Sequence, residues 1–113
     1  ASGQVSSWKV EAGPDPKVIR LTLTLENQGK VHFRPSGSVL IADAEGQMVS
    51  RASIGRTGPI FPKFKEAIPV FVPLQNPGHY RAMATVNIGT DELLQQEINF
   101  QIKNDGTAEA TGS

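Results

Sequence analysis

The sequence predicts an all-β fold, a two-layer sandwich of seven short strands around one hydrophobic core. Three observations predict it. Apolar and polar residues alternate with a period of two in three long segments, and Gly, Pro, Asn and Asp punctuate the chain at regular intervals. No segment carries the 3.6-residue spacing of an amphipathic helix. A chain of 113 residues can close one such core and is too short for two.

The elements follow in order. Residues 5–10 hold the only tryptophan, Trp8, and read as a first strand, with Trp8 expected as a plug between the layers. Residues 17–27, KVIRLTLTLEN, place Ile19, Leu21, Leu23 and Leu25 on one face and Arg20, Thr22, Thr24 and Glu26 on the other; a helix would scatter those leucines around its axis. Residues 37–42 and 47–54 flank Asp43-Ala44-Glu45-Gly46 and read as a hairpin. In residues 66–73, EAIPVFVP, Pro69 cannot donate to a ladder, so this strand belongs at an edge or at a bulge. Residues 78–88 turn Tyr80, Ala82, Ala84, Val86 and Ile88 one way, and Gln96, Ile98, Phe100 and Ile102 alternate near the end. Residues 1–4 and 104–113 are small and polar and are expected to be loose, leaving 5–103 as the domain.

Seven such strands suggest a Greek-key sandwich of the immunoglobulin or fibronectin type III kind. Pro77-Gly78-His79-Tyr80 stands where such sandwiches carry a corner tyrosine bonded back to the preceding turn. Leu21, Leu23, Leu25, Tyr80 and Val86, with Trp8, form the expected structural core.

Composition excludes several functions. Eleven basic and eleven acidic residues cancel, so no net field draws the domain to nucleic acid or to an anionic membrane. Cysteine is absent, which removes disulfides, thiolate metal sites and thiol nucleophiles. No apolar run is long enough to span a bilayer as a helix, and no leader-like segment opens the chain. His32 and His79 lie in different turns without ligand-spaced partners, so no metal and no cofactor is expected. Ser36 and Ser38 lie near His32 but lack the glycine pattern of a nucleophile elbow. Asp43 with Glu45, and Asp91 with Glu92, lack the alternating oxygen ligands of a calcium loop. The expectation is a protein without catalytic residues.

The stretch from Leu23 through Asn27, Gly29, His32, Pro35 and Gly37 to Val39, then Asp43 to Gly46, Phe61-Pro62, Pro69-Val70 and Pro77 to Ala82, resembles immunoglobulin-like domains of bacterial and archaeal surface proteins. These are similar in outline to fibronectin-like modules and to pilus chaperones. The resemblance covers residues 17–102 and implies a structural or interaction module of an exported, cell-surface multidomain protein, with a periplasmic setting as the variant. Its partners would be neighbouring domains or another protein, with a glycan as alternative, and the isolated domain would be monomeric. The alternative readings are an adhesin or carbohydrate-recognition module, or a chaperone-like domain accepting a peptide strand.

One segment stands apart. Residues 51–65, RASIGRTGPIFPKFK, interleave Arg51, Arg56, Lys63 and Lys65 with Phe61 and Phe64, the composition of a contact surface on a loop. Against that stands a structural expectation: Phe61 and Phe64 fold under the loop and close the end of the sandwich, and the cations solvate it.

Overall fold

The computed structural model describes residues 3–13, 15, 17–54, 58–89 and 93–111. These described residues form eight strands: β1 (Gly3–Ala12), β2 (Val18–Asn27), β3 (Ser36–Asp43), β4 (Met48–Ile54), β5 (Lys65–Pro73), β6 (Gly78–Asn87), β7 (Leu93–Ile102) and β8 (Ala108–Ala110). They form two antiparallel sheets, one ordered β1-β2-β5 and the other β4-β3-β6-β7-β8. This is an immunoglobulin-like Greek-key sandwich in which the fourth strand joins β3 instead of β5.

The alternation read from the sequence sets the layers. Along β2 every second residue is buried, and Leu21, Leu23 and Leu25 are fully enclosed. They meet Val39 and Ile41 of β3, Val70 and Val72 of β5, Ala82, Ala84 and Val86 of β6, and Phe100 of β7 in one core. β5, with Pro69 opposite Thr22, is an edge strand, where a missing N–H costs least. Trp8 faces inward opposite Leu23 but stays half-buried at the margin of the core; its Nε1 is shielded from solvent and has no hydrogen-bond acceptor among the described residues.

Two expectations about the ends need correction. Gly3 and Gln4, expected to be loose, begin β1 opposite Asn27 and Glu26. The segment expected to be a loose tail, residues 104–113, contains β8, which pairs with Phe100–Ile102 and brings the strand count to eight. Bulky side chains are not needed there. The turn is closed by Lys103 N–H to Thr107 C=O at 2.8 Å, with the Asp105 carboxylate accepting from the Thr107 amide and hydroxyl, and the exposed edge of β7 supplies the ladder. Ala108 is small enough to lie against the core.

The corner at the start of β6 is a built feature. Tyr80 Oη–H donates to the Asn76 carbonyl at 2.7 Å, and its ring packs on Phe100 at 5.6 Å between centroids. Burial first, and the charge of Asp43 second, push the phenol above its ordinary pKa of 10.0. Gly37, at φ 153°, lies so close to β6 that a Cβ would stand 2.0 Å from the Thr85 carbonyl oxygen. Only glycine allows this strand pair to close.

Candidate functional site

The strand directions gather the β2–β3 and β4–β5 connections, together with the start of β1, at one end of the sandwich. Asn27 organises this pole. It is the last residue of β2 and is 1% exposed. Its Nδ2 donates to the carbonyls of Val31 (2.9 Å) and Ile60 (2.7 Å), while its Oδ1 accepts from Gly29 N–H (2.9 Å). Its backbone N–H donates to Phe64 C=O (3.1 Å) and its own C=O accepts from Lys63 N–H (2.9 Å). One buried amide therefore ties the β2–β3 connection to the β4–β5 connection, bonding a carbonyl 33 residues away from it in sequence.

The second clasp is a bridge between Phe33 and Ile60, closed by hydrogen bonds of 3.2 and 2.8 Å. Both side chains are buried and plug the end of the core. This overturns the expectation that Phe61 and Phe64 do so: they are 54% and 66% exposed. The reason is the period of extended backbone, since Ile60 points inward and its neighbour Phe61 must then point out. Phe64 follows in a turn closed by its N–H to Phe61 C=O at 3.1 Å, with Lys63 held at φ 71°, in the left-handed region that β-carbon-bearing residues rarely occupy.

The exposed surface that results joins Phe61, whose ring stands 5.7 Å from that of His32, to Phe64 and the 56%-exposed Val31. Lys30, Arg34 and Lys63 are exposed around it with no ion pair among the described residues, and Lys65 reaches Glu26 at 3.9 Å. Of the residues singled out in the sequence, Phe61, Lys63, Phe64 and Lys65 are brought together. Arg51 is not: it stands opposite Leu40 on the outer face of the five-stranded sheet. Arg56 lies outside the described residues, as do Asp91 and Glu92. Lys30, Val31, His32 and Arg34 join the surface from the β2–β3 connection, and Asn27 anchors it from the end of β2, where the sequence carries no local signal of a contact surface.

The other candidates resolve into local structure. Asp43 Oδ1 accepts from the amides of Glu45 and Gln47, so this acid holds its own turn. His32 contacts Phe61 and makes no hydrogen bond to Ser36 or Ser38. No group of three or more His, Asp or Glu side chains converges among the described residues.

The fold and the pole together define an immunoglobulin-like domain with an aromatic and cationic end whose backbone is tied by hydrogen bonds. No family model matches the chain, and no curated protein does. Among solved structures it is similar to part of a β-glucuronidase from glycoside hydrolase family 2, with a TM-score of 0.65 and 12% identity over 86% of this chain and 12% of that one. It is also similar to part of β-glucosidase 3B from Thermotoga neapolitana, solved with glucose, with a TM-score of 0.60 and 14% identity over 99% of this chain and 17% of that one. At such identities what is shared is the β-sandwich fold. The chain spans less than one fifth of either protein.

Proposed function

We propose that this domain is a non-catalytic accessory module of a multidomain protein, docked end-on against a neighbouring domain through the loop pole. The observation that carries the proposal is the Asn27-anchored backbone that holds Phe61 and Phe64 outward. Exposed apolar side chains on fixed backbone lose little entropy when covered, which is what a docking surface requires. Size favours a covalently linked partner. The domain measures 45 × 26 × 23 Å, so its end face is at most about 600 Å². That is below the ~800 Å² per partner of a standard interface between separate chains and within the range of contacts between domains of one chain. A tether supplies the effective concentration that so small a face needs. The two glycosidases in which this fold forms a minor part support the accessory reading, and make a glycosidase-type neighbour the first candidate. An exported, cell-surface parent belongs to the same proposal and rests on the sequence resemblance alone.

Hydroxyl-radical footprinting tests it. Phe61 and Phe64 should label freely in the isolated domain and several-fold less in the parent chain. Equal labelling in both would overturn the proposal.

A further inference from the structure

At the opposite end of the sandwich, the outer face of the five-stranded sheet carries a shallow cavity of about 340 Å³, the size of a single sugar ring with room for solvent. Its floor is Ala42, whose methyl is the smallest side chain in a row that continues across the sheet to Arg81 and Asn99. His79 stands two residues before Arg81 on the same face of β6 and lines the cavity with it. The turn at Ala44 and Gly46 walls one side, and Thr111 the other.

The chemistry of this group is distinctive. Arg81, His79 and the side-chain amide of Asn99 make no hydrogen bond or ion pair among the described residues. Arg81, Asn99 and His79 all line the cavity, and cross-strand neighbours lie about 5 Å apart, so these three groups can reach one small molecule together. Of the nearby acids, Asp43 lines the cavity: its Oδ1 accepts two amides of its own turn, and its Oδ2 is left to accept from a hydroxyl on the side away from Arg81, while Glu109 is held by Lys103 at 3.1 Å. A free guanidinium matches a carboxylate by two parallel hydrogen bonds, whereas amides both donate and accept, as hydroxyl groups demand.

We infer that the cavity over Ala42 is a binding site for a hydroxylated carboxylate of sugar-acid type, its carboxylate on Arg81 and its hydroxyls on Asn99 and His79. The ligand is either a free sugar acid or a uronate unit within a glycan. This site is separate from the loop pole and does not depend on the docking proposed for it.

The test is an NMR titration of the isotopically labelled domain with sodium glucuronate, a uronate trisaccharide, glucose, acetate and inorganic phosphate. Glucuronate should shift the amides of Ala42, Arg81 and Asn99 saturably, while glucose leaves them unmoved. Arg81→Gln should weaken binding at least about tenfold, and Ala42→Leu, which fills the floor, should do the same. Phe61→Ser/Phe64→Ser should leave it unchanged. Tighter binding of the trisaccharide than of glucuronate supports a chain-borne uronate, and weaker binding supports a free acid. The inference is overturned if glucuronate gives no saturable shift, if Arg81→Gln binds it equally well, or if acetate or phosphate binds as tightly, because Asn99 and His79 would then contribute nothing.

Discussion

Replacing Asn27 by Asp tests the physical origin of the loop pole. The change conserves shape but removes the two donated hydrogen bonds, to Val31 C=O at 2.9 Å and Ile60 C=O at 2.7 Å, and keeps the acceptor used by Gly29. A net contribution of about 0.5–1.5 kcal/mol per bond, with the added cost of two carbonyls facing a buried carboxylate, puts the loss near 2–4 kcal/mol at neutral pH. For a domain of this size that lowers Tm by about 10–25 °C. The sign with pH is fixed by the same contacts. Burial and the facing carbonyl oxygens favour the protonated carboxyl, whose O–H can still donate to one of them, so the introduced group has a folded-state pKa above its unfolded value of about 3.9. The variant should therefore lie closest to the wild type below pH 4 and lose ground as pH rises through the raised folded-state value. Urea denaturation of both proteins between pH 3 and 8, with hydrogen exchange at the Lys63 amide, measures this. A loss below about 0.5 kcal/mol at pH 7, or a difference that does not change with pH, would refute the account of Asn27 as the tie between the two connections.

Three other outcomes follow from the same geometry. Gly37→Ala should cost at least about 3 kcal/mol by chemical denaturation, because the new methyl would stand 2.0 Å from Thr85 O and the β3–β6 pair would have to part. Tyr80→Phe should cost about 1 kcal/mol through the lost 2.7 Å bond to Asn76. Because the folded-state phenol titrates above its unfolded value, its stabilisation is complete below pH 10 and falls as pH rises through the folded-state pKa; the Phe variant should lack this alkaline component in a stability–pH profile. Phe61→Ser/Phe64→Ser should change stability by less than about 0.5 kcal/mol per site in thermal denaturation while raising solubility, since both rings are exposed; a large loss would mean that they support the core after all.

The core was legible because its signal is local. Leu21, Leu23 and Leu25 lie two residues apart, and a strand must then show all three to the same layer. Tyr80 was legible for a similar reason, since the bond to Asn76 spans only four residues. The strand β8 was less so: Asn104-Asp105-Gly106-Thr107 is a strong turn sequence, but the absence of large apolar side chains after it masked a strand stabilised mainly by its ladder to β7. The cluster at the loop pole was half legible. Phe61 and Phe64 announced themselves by composition, yet whether they point in or out depended on Ile60 bridging Phe33, twenty-seven residues earlier in the chain.

The sequence by itself determined the layers and the alternating core positions of the long strands, and restricted the proline-bearing strand to an edge or a bulge, because alternation, turn chemistry and a missing N–H act between near neighbours. Only the tertiary structure decided which aromatic side chains face solvent, which sheet receives the fourth strand, and that one buried amide joins distant connections. Those outcomes turn on hydrogen bonds and packing between residues far apart in the chain, where the partner that completes each contact is specified by the fold as a whole.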